Sequence, residues 1–313
     1  MSTEVSQELL QTAWQVSLED ELAKEPNIKK EDIAAVVDWC REQMYLPPVS
    51  EHTAALFLKL SGYDVEKAQG YIDNHYTFRT YYRNIFADRD PELKEVKQAM
   101  NAIHMFILPG YIPNKGRILF GSLKTDESSK FNASQGLKYV YMTMEKDVLE
   151  HGIADTDFYS ILFDAKGFGL GHLTTISISF IKQLFSYFLD GCNMTTREIE
   201  IINVNQVVEK LVSMIKTLTP KDVHEKIKLY TKDKTEAVLA KYPPEILPKE
   251  LRGQHPMSLA EMSESNEKAV SEFRAWYLAD EKYLRVDESK RPVHRQNKKV
   301  VKIQTELKKL ELD

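Results

Sequence analysis

The residues most suggestive of chemistry lie together at Gly167-Phe168-Gly169-Leu170-Gly171-His172, between an apolar segment and an uncharged one. A glycine-rich turn that leaves a strand and opens a helix can bring backbone N–H groups to a phosphate, as dinucleotide-binding loops do. That fingerprint needs two residues between its second and third glycines, and here there is one. Its ribose-binding acid belongs at the end of a second strand, whereas Asp190, at about the right distance along the chain, is expected to end a helix. The glycines are therefore read as freedom for a sharp bend. His172 is read as a hydrogen-bonded structural histidine at a helix start, since a general base needs a partner.

Other chemistry fares no better. The remaining histidines (His52, His75, His104, His151, His224, His255, His294) are dispersed, with no pair at zinc-ligand spacing. Neither a phosphate-loop lysine motif nor a Gly-x-Ser-x-Gly elbow occurs. Cys40 and Cys192 are the only cysteines, too few for a disulfide framework, and predict two free thiols in a reducing compartment. No catalytic residue, metal or cofactor is expected, and the chain is not read as an enzyme.

The elements around the turn point to binding. FYSILFD has bulky apolar residues in succession and predicts a strand over 158–164 covered on both faces. After the turn, Leu173, Ile176, Phe180, Ile181, Leu184, Phe185 and Phe188 give a wide apolar face to a helix expected over 173–189. Strand and helix form a greasy wall with no acid, base or metal ligand at its middle.

Upstream the chain reads as helical. An amphipathic helix is expected from Ser6 to Glu25, broken by Pro26, and a second carries Ile33, Val36, Val37 and Cys40 on one face until Pro47-Pro48. A third, HTAALFLKL, stops at Ser61-Gly62, and Asp64 caps a fourth bearing Val65, Ala68, Ile72, His75 and Phe78. After Asp90 the pattern changes. A helix over ELKEVKQAMNAI precedes the strand RILFGSL, and a helix from Ala133 to His151 precedes strand 158–164. EIEIIN alternates as a strand, VNQVVEKLVSMIKTL is helical, and IKLYT is a short strand. The alternation predicts an α/β fold around a mainly parallel sheet. The expected divisions are 1–88 helical, 89–255 α/β and 256–313 a helical, basic tail.

Composition is that of a globular protein: 313 residues, 42% apolar and 28% charged. The net charge of −5 argues against nucleic-acid binding. It is unevenly spread, for residues 282–313 hold ten Lys/Arg against five acids, a tail that suits an anionic membrane surface or a solvated terminus. The opening residues are acidic and lack the pattern of a secretory signal, and no run approaches the ~20 apolar residues of a membrane span. A cytoplasmic protein, peripheral at membranes, is expected. Val204, Val207, Val208, Leu211, Met214, Ile215 and Leu218 form one stripe on a helix expected over 203–218, flanked by Arg197, Lys216, Lys221, Lys226 and Lys228. Such a stripe can be core. With a basic rim it also suits a lid that docks on a membrane.

Taken in order, AALFLKLSGYDVEKAQGYIDNHYTFR, FILPGYIPNKGRILFGSL, FDAKGFGLGHL, EIEIINVNQVVEKLVSMIKTL, YPPEILPKELRG and VDESKRP resemble the CRAL-TRIO lipid-transfer family. The likeness is to its tocopherol- and retinaldehyde-transfer branch and insect relatives, over roughly Asp20 to Pro292. It implies an N-terminal helical subdomain and a lipid pocket between the sheet and a mobile gate helix, Asn203–Lys226. By correspondence, pocket positions fall at Phe120, Val140, Tyr141, Met144, Tyr159, Phe163, Ile176, Leu184, Tyr187, Phe188, Met194, Ile199, Leu211 and Ile215. Membrane docking falls to Val204, Val207, Val208, Leu211 and Met214. Val140 and Met144 stand where tocopherol carriers tend to place serines, a loss that Tyr141, Thr143, Tyr159 or Tyr187 could replace. Of four basic phosphoinositide positions, Arg197 and Lys226 are retained, while Thr195 and Asp222 replace the others beside Lys221.

The resemblance implies a carrier of a small hydrophobic molecule (retinoid, carotenoid, tocopherol or a terpenoid such as juvenile hormone) in transient contact with anionic membranes. A phosphoinositide-sensing adaptor is the alternative. Each buried methylene contributes about 0.8 kcal/mol, so such a ligand binds tightly with few hydrogen bonds.

Overall fold

The computed structural model describes residues 6–292. Helices Lys30–Glu42, Glu51–Leu60 and Val65–Tyr81 form the amino-terminal bundle. Ile33, Val36 and Cys40 recur every three or four residues and are buried together. Ser50 Oγ accepts from Thr53 N at 3.2 Å and Asp64 Oδ1 from Lys67 N at 3.0 Å, each starting a helix. Gly62, at φ +68°, takes the left-handed conformation that ends the helix before it. The single helix expected from Ser6 to Glu25 is two short ones, Leu9–Thr12 and Leu18–Lys24. Ser17 interrupts it: its hydroxyl accepts from Asp20 N at 3.1 Å, while Gln15 N donates away to Leu149 O at 2.9 Å.

The sheet has five strands in the order β1-β2-β3-β4-β5. They are β1 (Ile103–Ile107), β2 (Gly116–Leu123), β3 (Phe158–Asp164), β4 (Thr196–Ile202) and β5 (Ile227–Leu229). β1 pairs antiparallel with β2, and the other pairings are parallel, giving the expected α/β fold. Sequence reading missed β1, because Ile103 continues the apolar rhythm of helix Lys94–Ala102. Pairing with β2 decides otherwise, as tertiary partners commonly do for β-branched and aromatic residues.

Right-handed crossovers between strands laid down in sequence all pass over one face of a sheet. The connecting helices are Ala133–His151, then Leu170–Leu173 with Ile178–Asp190, then Gln206–Leu218 with Lys221–Lys226. The opposite face, with Phe106, Leu108, Ile118, Phe120 and Leu162, is covered by Val238, Leu239, Tyr242, Leu247 and Met262. Nucleotide crevices form where strand order reverses, and here it runs one way, so the glycine turn after β3 meets no such crevice. The helix expected over 173–189 is broken: Ser177 Oγ accepts from Phe180 N at 3.1 Å and starts a new helix. The helix expected over 203–218 begins at Gln206, and its continuation to Lys226 is interrupted at Thr219-Pro220.

A buried ionic cluster locks the amino-terminal helices to the rest. Arg79 and Arg89 each pair with both Glu145 and Asp280, and Arg285 reaches Asp280 at 3.1 Å. Burial alone would raise the Asp280 carboxyl; Arg79, Arg89 and Arg285 overcome it and hold it well below the usual carboxylate range. Of the cations expected on a membrane-facing tail, Arg285 and Arg291 instead turn inward, Arg291 Nη1 meeting Asp73 at 2.8 Å. The rest of that tail from residue 293 lies outside the described residues.

Candidate functional site

Between the sheet and its connecting helices lies a cavity of about 330 Å³. Its floor follows from the two-residue period of strands: Ile161 and Phe163 of β3 face it beside Gly121 and Leu123 of β2, Ile103 and Met105 of β1, and Ile199 and Ile201 of β4. Gly121 lets the Phe163 ring lie close over β2, since a Cβ there would stand 2.6 Å from that ring. The walls are Val140, Tyr141 and Met144 from helix Ala133–His151, and Ile176, Leu184 and Phe188 at and beyond the broken helix. Val208 and Leu211 of helix Gln206–Leu218 close it.

Of the expected pocket residues, the cavity thus gathers Val140, Tyr141, Met144, Phe163, Ile176, Leu184, Phe188, Ile199 and Leu211. It leaves out five. Phe120 points through the opposite face of the sheet, its ring 5.3 Å from Phe106. Tyr159 donates to Asp147 Oδ2 at 2.8 Å and, with Met194, lines a separate polar cleft that includes Lys59, Glu25 and Asp157. Tyr187 turns towards the amino-terminal bundle, 4.6 Å from the Phe86 ring, with its hydroxyl accepting from Arg79 at 3.4 Å. Ile215 packs beneath its own helix, outside the cavity.

Residues that sequence reading passed over are also present. Phe131 and Phe168 form one end, ring to ring at 6.2 Å, with His172 5.2 Å from Phe168. A lone phenylalanine in the polar stretch KTDESSKFNASQ was the available signal: it needs apolar cover, and the glycine turn supplies it. Gly167, at φ +84°, makes the bend expected of that turn.

The site has little capacity for reaction. His172 is buried, and its Nδ1 accepts from Gly169 N at 3.1 Å, a capping contact; burial lowers its pKa. Among the described residues, no Lys, Arg or His lines the cavity. Its one acid, Asp164, accepts from Lys166 N at 2.9 Å and from Asn203 Nδ2 at 2.7 Å. Burial pushes the Cys192 thiol up to about 12, so it stays neutral. Asp147, Glu150 and His151 cluster elsewhere as a possible cation site, but Asp147 is already engaged by Tyr159 and, at 3.2 Å, by Arg117.

Helix Gln206–Leu218 is fastened at its start. Asn205 Oδ1 accepts from Val207 N and Val208 N at 3.0 and 3.1 Å, and its Nδ2 donates to Phe168 O at 2.8 Å. Asn203, at φ +53°, ties the preceding turn to Asp164. Val204, Val208 and the unexpected Val212 are buried, while Val207, Leu211 and Met214 are half-buried. Two apolar side chains near this edge face solvent, Leu170 at 63% exposure and Ile178 at 52%. Arg197 stacks 4.8 Å from the Phe158 ring, Lys226 donates to Thr196 O at 3.0 Å, and Lys221 is exposed. Lys228 is neutralised by Glu198.

Comparison with known proteins agrees with this architecture. Residues 102–253 match the CRAL/TRIO domain, and residues 25–96 match the Pinta-like UBA domain. Residues 102–253 are thus similar to CRAL/TRIO domains, a class that is generally non-enzymatic and associated with hydrophobic ligands, and the stretch before them is similar to a Pinta-like UBA domain. Among solved structures it is similar to the crystal structure of Sfh5, at 13% identity and a TM-score of 0.47, over 79% of this chain and 92% of that one. No curated protein gives a significant match. No helix among the described residues is long and apolar enough to cross a membrane.

Proposed function

We propose that this protein binds a small hydrophobic molecule intact and passes it between membranes, in the manner of the tocopherol- and retinaldehyde-transfer branch. The supporting observation is the cavity of about 330 Å³, lined among the described residues mainly by aliphatic and aromatic side chains. Helix Gln206–Leu218 is the lid. Its half-buried Val207, Leu211 and Met214, with exposed Leu170 and Ile178, would enter the lipid boundary as it swings away. On this reading residues 1–88 brace the carrier, 89–255 hold the cargo, and 256–313 complete the buried ionic cluster through Asp280.

Leu211→Asp tests the lid. A charge there opposes burial both in the closed protein and in lipid. Vesicle-to-vesicle transfer of a fluorescent retinoid should fall at least about tenfold, while circular dichroism shows the fold retained. Wild-type transfer rates in a folded Leu211→Asp protein would remove the lid from the mechanism.

One observation favours a second reading, a phosphoinositide-sensing adaptor. Arg197, Lys221 and Lys226 have no carboxylate partner among the described residues, and Lys226 lies over the Phe188 ring at the cavity wall. That reading requires flotation with phosphoinositide vesicles to depend on Arg197 and Lys226. Indifference to both would leave the carrier alone.

A further inference from the structure

Sulfur from three places in the chain converges on the cavity. Met105 of β1, Met144 of helix Ala133–His151 and Cys192, between helix Ile178–Asp190 and β4, all line it. Met105 is fixed at both ends: its backbone oxygen accepts from Asn266 Nδ2 at 2.9 Å, and its methyl lies over Gly121, 2.9 Å from where a Cβ would stand. Met105 and Met144 are each 3% exposed. Other methionines provide the contrast. Met100 and Met142 are buried in the core and do not line the cavity among the described residues, while Met44 is 71% exposed.

These sulfurs differ in what they can do. A thiol attacks a peroxide as its thiolate, and Cys192, pushed up to about 12 by burial, stays protonated. A thioether has no proton to lose, so burial does not silence its lone pair in that way. Resting on the carrier reading, we propose that Met105 and Met144 take up oxygen from hydroperoxides of the lipids carried in this cavity. The cavity admits a hydroperoxide borne on an apolar chain and disfavours free hydrogen peroxide, which would be buried there with few hydrogen-bond partners. The thioether sulfur attacks the terminal oxygen of R–O–O–H; the O–O bond breaks as an S–O bond forms. The hydroperoxide proton passes to the departing alkoxide, so the lipid becomes its alcohol, R–OH, and the methionine its sulfoxide. Sulfur loses the two electrons that the peroxide gains, and no other reactant enters. The sulfoxide sets a polar group against the cargo, so the oxidised protein holds apolar cargo less tightly.

Peptide mass mapping of the wild-type protein after limited treatment with cumene hydroperoxide, or with hydrogen peroxide, tests the step. Cumene hydroperoxide should oxidise Met105 and Met144 ahead of Met44 by about tenfold, the enrichment that burying about two methylenes' worth of apolar surface provides. Hydrogen peroxide should reverse that order, and Met100 and Met142 should stay reduced with both. One cumyl alcohol should appear per sulfoxide. Saturating farnesane, a hydrocarbon, should protect the two cavity sulfurs and leave Met44 reactive. Met105→Leu combined with Met144→Leu should abolish the alcohol formation that farnesane blocks; the wild-type map holds whether or not that variant folds. The same order of oxidation with both peroxides, oxidation of Met100 and Met142 in step with the cavity pair, or no protection by bound farnesane would overturn the proposal while the carrier reading stood. Failure of both farnesane and a fluorescent retinoid to bind would overturn the carrier reading, and this proposal with it.

Discussion

The two faces of the sheet are made from similar residues and end in opposite states. On one, Phe120 and Leu162 are fully buried under Val238, Leu239, Tyr242 and Leu247. On the other, Phe163, Ile199 and Ile201 remain half-buried beneath three helices and border a cavity. What differs is the cover. The filled face is sealed mostly by short turns of chain, Thr235–Leu239, Pro244–Ile246 and Lys249–Leu251, which can follow the contour of the strands, with Met262 of helix Leu259–Glu272 beside them. The cavity face is roofed by longer helices whose positions are set elsewhere, by the ionic cluster for Ala133–His151 and by Asn205 for Gln206–Leu218. Rigid elements pinned by such contacts are hindered from collapsing into the space beneath them. Emptiness here is a property of the scaffold, and apolar composition alone does not produce it.

Truncation should separate the faces most strongly. Phe120→Ala is expected to cost about 3–5 kcal/mol in urea denaturation, because it opens a void in close-packed core. Phe163→Ala, whose ring already borders space, should cost only about 1–2 kcal/mol. Equal losses would break the comparison. Glycines give the next contrast. In Gly253→Ala the new methyl would stand 1.9 Å from the Leu247 carbonyl oxygen, a backbone atom that cannot swing aside. A loss of about 3 kcal/mol is expected, against about 1 kcal/mol for Gly121→Ala, where the Phe163 ring can move into the cavity. Thermal melts of the pair would settle the order. The smallest effect belongs to the roof: Asn205→Ala should cost about 1 kcal/mol, read as faster hydrogen exchange at Val207 and Val208 with the amides of β2 unchanged.

The comparison also explains what the sequence could show. β3, the glycine turn, the helix Ala133–His151 and the apolar stripe of helix Gln206–Leu218 announce themselves through apolar runs, caps and periodicity. Phe120 is expected in the pocket only through the family correspondence, and RILFGSL, apolar on both sides, carries no alternation that could mark which side looks up. The register resolves it by pairing Phe120 with Leu162 and Gly121 with Phe163. Tyr187 shares a helix with Leu184 and Phe188, yet its hydroxyl is drawn to Arg79 by a helix from the other end of the chain, a contact without local signature. Phe131 and Phe168 meet only after the turn has folded back. Local pattern fixes elements; which side of an element faces the void depends on pairings that are distant in sequence.

Arg79 and Arg89 carry a consequence for synthesis. Their shared partner Asp280 is about two hundred residues downstream, at separations of 201 and 191 positions. During translation the amino-terminal helices are made before either counter-charge, and half of it, Asp280, is still unmade after Glu145 has been added. The strands likewise wait for residues 235–262 to shield their second side. At about 5–20 residues per second, that interval lasts on the order of ten seconds. A chain truncated just before Asp280 is expected to keep Arg79 and Arg89 without that carboxylate and to leave the fold unfinished, which limited proteolysis would read.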